Sequence, residues 1–188
     1  MIDFIKNIFR RKFLRRYSSK QPTGLVPLSE IRSVSIVLDA QENGVDDCKE
    51  AALTYFKSKG MKVNVYFLDL SKKGEDERQI TSLNNTILRK DLNWYGRPAL
   101  EIIEMISSDG ADVLLSLVDG ADVLLSLVDN VDFPIAALAG CSGAVFKIGR
   151  VQLPGRTFDL VVEDSPSHEF SPSDAFKEIT RYLETIIQ

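Results

Sequence analysis

The sequence predicts a three-layer α/β fold around a doubly wound, mostly parallel sheet, with a basic amphipathic helix in front of it. Short, β-branched apolar runs alternate with segments carrying apolar residues at helical spacing, the pattern of successive βαβ units. The runs are apolar at consecutive positions, as in strands covered by helices on both faces. Hydrophobic residues make up 44% and charged residues 27% of the 188-residue chain. That is ordinary for a soluble domain able to bury a core without metals or disulfides.

In chain order, residues 1–20 form a basic arm in which Ile2, Ile5, Phe9, Phe13 and Tyr17 recur at helical spacing. Lys6, Lys12 and Arg16 interrupt the edges of that stripe. Residues 21–30 read as a linker and residues 31–188 as one α/β domain. Val34–Leu38 has the form of a buried parallel strand ending at Asp39. Val45–Ser58 follows as a helix with Val45, Cys48, Ala52, Tyr55 and Phe56 on one side, and Gly60 is placed to stop it. Lys62–Leu68 is the next strand and completes a βαβ unit, whose crossover should be right-handed. Ser71 to Asn85 is polar and irregular. Thr86–Arg89 reads as a short edge strand leading into a loop at 90–96. Pro98 suits the first turn of a helix reaching about Ser107. A helix near Phe133–Cys141 and strands at Ala144–Ile148 and Phe158–Val162 come next. Ser171 and Pro172 then open a last helix as cap and first residue. The expected strand order is 3-2-1-4-5-6. The short turn LPGRT at 153–157 lies between the last two strands, which leaves an antiparallel pairing open.

Charge is uneven along the chain. Residues 1–20 carry a net charge of +6, and the remainder carries −10. An acidic body with a basic leader suggests two parts with different jobs. The leader lacks the apolar stretch and cleavage site of a secretory signal. Aspartates interrupt the most apolar region, 111–148, and no run approaches the ~20 residues needed to cross a bilayer. A cytoplasmic protein is expected. Cys48 and Cys141 lie far apart in apolar helical contexts and read as reduced core thiols. With the single His168 they cannot supply a zinc site, and no cofactor is expected. His168 itself sits in a Ser/Pro-rich loop and reads as solvated.

Residues 109–118 and 119–128 are the same ten residues, DGADVLLSLV, in perfect tandem copy. Repeat architectures need three or more longer units, so this is a duplicated segment rather than a module. Each copy reads as a central strand, and a sheet has one slot for it. The expectation is that the second copy extends the sheet or forms a hairpin, with reduced stability.

Several residue groups together resemble an uncharacterised bacterial family of small proteins, a domain of unknown function. They are the basic leader, SIVLDAQ at 35–41, the segment Lys90 to Pro98 with Asp91, Leu92, Asn93, Trp94 and Gly96, then Phe146–Arg150 and Phe158–Val162. The resemblance spans nearly the whole chain and implies a Rossmann-like α/β fold in the cytoplasm. It implies no established activity and no catalytic residues. The duplicated strand departs from the pattern, where one copy is expected.

GxGxxG, the Walker loop, HExxH and GxSxG are all missing. Asp39 ends the first strand, and Asp129 or Asp119 ends the fourth. Ligands of open α/β sheets bind between such ends, so Asp39, Gln41, Asn43 and Asp129 are candidates, against the ordinary role of Asp and Asn in turns and caps. Asp91, Asn93 and Trp94, with Tyr95, could stack and hydrogen-bond a ring-bearing ligand. The competing reading is a structural loop with Trp94 in the core and Asp91 bonding backbone. Lys6, Arg10, Arg11, Lys12, Arg15 and Arg16, interleaved with Phe and Ile, suit an anionic membrane surface or a protein partner; nucleic acid ranks behind both, given the acidic body. The leading expectation is a non-enzymatic cytoplasmic α/β binding or adaptor protein attached to a partner or, peripherally, to the inner membrane surface through the basic helix. The rival is an enzyme or binding protein for a small phosphorylated or nucleotide-like ligand at the carboxyl ends of the central strands.

Overall fold

A computed structural model describes residues 2–71, 85–107, 121–163 and 170–186. The irregular stretch expected after Ser71, the first copy at 109–118 with Asp119, and His168 lie outside the described residues. Within them the elements are α1 Ile2–Tyr17, β1 Ser33–Asp39, α2 Val45–Ser58, β2 Lys62–Asp69, β3 Thr86–Leu88 and α3 Leu100–Ser107. Then follow β4 Val123–Ser126, α4 Phe133–Cys141, β5 Phe146–Gly149, β6 Leu160–Val161 and α5 Pro172–Ile186.

The strands form one sheet of order β3-β2-β1-β4-β5-β6, parallel throughout. This is the doubly wound arrangement, with the order reversing between β1 and β4. Side-chain alternation divides the core in two. Val34, Ile36 and Leu38 of β1 point toward α2 and α5, whereas Val37 points toward α1, α3 and α4. β4 repeats the division: Val123, Leu125 and Leu127 lie on the first face, Leu124 and Val128 on the second. Both faces are apolar because both are covered.

The second copy of the duplicated segment fills the central slot, paired to β1 on one side and β5 on the other. That corrects the expectation that it would extend the sheet or turn back as a hairpin. Asp122 holds it in register. Its Oδ2 accepts hydrogen bonds from the backbone N–H groups of Arg32 (2.7 Å) and Ser33 (2.9 Å) at the entry to β1.

Of the two pairings left open for the last strands the parallel one is found: β6 pairs with β5 with Ile148 opposite Leu160. The chain after β5 loops back through residues 150–159. Asp159 then brackets Lys147 by donating its N–H to the Lys147 carbonyl (2.8 Å) and accepting the Lys147 N–H on Oδ2 (2.8 Å). Gly149 is required here by proximity: a Cβ at this position would lie 2.3 Å from the Phe158 ring. Pro98 does not start α3. It bridges Leu92 in antiparallel fashion, and the helix begins at Leu100.

The helix ends follow local chemistry. Gly60 takes φ 76° just beyond α2, a conformation that glycine adopts without steric penalty. The Ser171 hydroxyl accepts the Asp174 N–H (3.2 Å) and donates to the Asp174 carboxylate (2.7 Å), capping α5.

α1 packs on α4 rather than standing apart. Phe13 is its buried residue, stacked on Tyr17 and edge-on to Phe133. The following segment is also tied down. The Ser19 N–H donates to the Gly140 carbonyl, the Gly24 N–H to the Val145 carbonyl (both 2.9 Å), and the Thr23 hydroxyl to Asp159 (2.6 Å).

A basic aromatic cleft beside a closed crevice

The sheet delivers Asp39, Asp69 and Asp129 to its carboxyl edge, at the ends of β1, β2 and β4. Asp39 Oδ1 accepts the Gln41 N–H (2.8 Å), an Asx turn of the kind that follows many strands. Burial holds the Asp39 carboxyl above the ordinary carboxylate range, and the charges of Asp69, Asp132 and Asp129 push the same way. Gln41 and Asn43 are exposed in the turn before α2.

The crevice between β1 and β4 is closed by a residue that sequence reasoning passed over. Arg150 is 1% exposed and reaches from the end of β5 to three groups. It bonds the Glu42 carboxylate, donates to the Phe170 carbonyl, and lies 3.7 Å from the Asp129 carboxylate. Glu42 titrates above its ordinary range because burial outweighs its bond to Arg150. β1 and β4 are neighbours, so Asp39 and Asp129 share this edge of the sheet, and a protein cation lies between Asp129 and the β1–α2 turn. Among the described residues no group of three or more His, Cys, Asp or Glu is arranged to hold a metal ion.

The open space lies on the other half of the same edge, over β2 and β3. A cleft of about 470 Å³ runs between α1 and the 92–96 loop. Lys6 and Arg10 of α1 form one wall, with Arg89 after β3, Trp94 and Tyr95 opposite. Phe133 at the start of α4 contributes an apolar surface, and Asp132 lines the cleft with a carboxylate. Asp39, Gln41, Asn43 and Asp129 do not line it.

The loop is shaped by two predicted site residues. Asp91 Oδ2 accepts the Leu88 N–H (2.8 Å). Asn93 Oδ1 accepts the N–H groups of Tyr95 (3.2 Å) and Arg97 (2.9 Å), while the Asn93 N–H donates to the Arg97 carbonyl (2.9 Å). Their side chains therefore hold backbone, and the tight turn projects Trp94 outward. Trp94 is 56% exposed, which corrects the expectation that it would plug the core. It meets Phe9 of α1 edge-on at 5.1 Å, and Tyr95 stacks near the same Phe9 at 5.9 Å. Arg10 joins helix to loop: its Nε donates to the Tyr95 carbonyl (2.8 Å), and its guanidinium lies 5.0 Å over the Phe133 ring.

α1 has two faces of opposite use. Lys6, Arg10, Phe13 and Tyr17, spaced four, three and four, turn toward the body. Phe4, Ile8, Arg11 and Arg15, at the same spacing, turn to solvent, with Ile5, Lys12 and Arg16 exposed nearby. The outer face is apolar over its first two turns and basic over its last two.

Both cysteines are buried thiols. Burial raises the Cys48 thiol to about 12 and the Cys141 thiol to about 11, so neither is poised as a nucleophile. Buried Lys147 donates its Nζ to the Ala139 carbonyl in the last turn of α4 (2.8 Å). The cation thereby meets the negative end of that helix, although burial lowers its pKa.

No helix among the described residues is long and apolar enough to cross a membrane. No curated protein and no solved structure matches the chain. A family model matches residues 3–186, from the first turn of α1 to the end of α5, and the chain belongs to that family of unknown function, DUF6913.

Proposed function

We propose that this chain is a non-enzymatic binding or adaptor protein that sits peripherally on an anionic membrane surface, on its cytoplasmic side, through the outer face of α1. The observation carrying this reading is the exposure of Phe4 (70%), Ile8 (49%) and Ile5 (41%) on a helix held to the body by its opposite face. Large apolar side chains fixed in water at adjoining turns have an unfavourable environment that a headgroup boundary relieves. Arg11, Lys12 and Arg15 continue that face with positive charge. Each contributes about 1 kcal/mol near an anionic leaflet, decaying over a Debye length. Burying Phe4 and Ile8 adds roughly 1.5–3 kcal/mol apiece when complete. The acidic body favours an orientation with α1 toward the surface and the remainder away from it.

Sedimentation with vesicles of phosphatidylcholine and phosphatidylserine tests this. The full chain should pellet with mixed vesicles at low salt and be released as salt rises. Phe4→Glu with Ile8→Glu should stay in the supernatant while keeping the parent's thermal midpoint. Equal pelleting of that variant would refute the reading.

A further inference from the structure

Beyond surface attachment, we infer that the cleft between α1 and the 92–96 loop is a binding site for a small phosphomonoester carrying a planar ring. Three cations from two elements converge on it: Lys6 and Arg10 from α1, and Arg89 from the turn after β3. The side chains of Lys6 and Arg89 make no hydrogen bond or ion pair with the described residues. Cations drawn to one concavity and left without partners repel one another, and a dianion removes that repulsion. Arg10 is oriented in advance: its Nε bond to the Tyr95 carbonyl fixes the guanidinium, leaving its terminal nitrogens as donors. The lining carboxylate, Asp132, leaves the balance positive.

The aromatic half specifies the rest of the ligand. Trp94 and Tyr95 stand at the rim and meet at 82°, so the two rings present surfaces in different directions. A planar body beside the anion can stack there, and stacking on such rings accepts many ring types. A volume of about 470 Å³ is in the range of small-ligand sites and suits a mononucleotide-sized molecule. The cleft also lies at the carboxyl ends of β2 and β3, the edge where ligands of such sheets bind.

Calorimetric titration of the full chain with AMP, phenyl phosphate, adenosine and inorganic phosphate tests the assignment. AMP and phenyl phosphate should bind, and adenosine and phosphate alone should each bind at least about tenfold more weakly. Arg89→Gln, at an exposed position, should weaken AMP by about tenfold without changing the thermal midpoint, and Trp94→Ala should weaken it to a similar degree. Phe4→Glu with Ile8→Glu should bind AMP like the parent chain, so the two readings fail independently. Absence of heat with both ring-bearing phosphates, or unchanged AMP affinity in Arg89→Gln, would overturn the inference. So would Arg89-dependent binding confined to phosphatidic acid vesicles, which would assign the anion site to a lipid headgroup without a ring.

Discussion

Phe13→Ala tests whether α1 is part of the folded body or a leader resting on it. Phe13 is 5% exposed, lies face to face with Tyr17 at 4.9 Å, meets Phe133 edge-on at 6.3 Å, and has the Arg97 guanidinium 5.6 Å over its ring. Truncating a buried phenylalanine costs about 3–5 kcal/mol. The low end applies, because a helix packed through one face can close part of the gap, giving about 3 kcal/mol. At 1.4 kcal/mol per decade, that raises the undocked population of α1 about a hundredfold. The ring contacts of Phe13 are to Tyr17, Phe133 and Arg97, none of them on a strand, so the opening should be local. Native-state amide hydrogen exchange reads this directly. Amides in the second half of α1 should exchange about a hundredfold faster in Phe13→Ala, whereas those of β1 and β4 should change much less. Exchange in α1 within twofold of the parent would show that the packing described for Phe13 does not hold the helix.

Three other outcomes follow from the same structure. Arg150→Ala leaves Glu42 half-buried without its cation and should lower stability by about 3 kcal/mol in urea titration; adding Glu42→Gln should recover part of the loss, and strict additivity would contradict the ion pair. Asp39 titrates above its ordinary value in the folded state, so its contribution to stability is full below the ordinary pKa of 3.8 and is lost as pH rises through the folded value. Asp39→Asn, which keeps the acceptor for Gln41, should therefore raise the thermal midpoint increasingly as pH rises above 3.8, and a constant offset would refute the assignment. Deleting residues 109–118 removes one copy and leaves Asp122 and β4 as they stand; the connection from α3 then shortens from 108–122 to residues 108 and 119–122. Lower loop-closure entropy should stabilise the chain by about 1 kcal/mol, and loss of folding would mean that the second copy alone cannot supply the strand.

The layered architecture was legible because apolar runs and helical stripes report burial, and burial here follows the sheet. Val34–Leu38 and Val123–Leu127 are apolar at nearly every position, and both are covered on two sides. The direction of β6 was not legible, since it is set by Asp159 and Phe158 meeting Lys147 and Gly149 across strands. Which identical copy enters the sheet is likewise invisible to local pattern. At the site, the loop chemistry of Asp91 and Asn93 showed in their residue types, and the basic leader in its charge. Arg89 and Phe133 carried no signal of convergence with that loop, because they belong to separate elements that only the fold brings together. Arg150 was hidden for a similar reason. An arginine after a strand looks exposed until Glu42 and Asp129 arrive from other loops to bury it.

Trp94 is the single tryptophan of the chain and lines the cleft on the body side of α1, so Trp94→Phe with Phe4→Trp moves the sole indole to the outer face, where its fluorescence reports on attachment. Titrating this double variant with phosphatidylserine-containing vesicles should shift its emission to the blue, reversibly with salt, and pure phosphatidylcholine vesicles should give little change. An emission spectrum unmoved by anionic vesicles at low salt would contradict membrane attachment through α1.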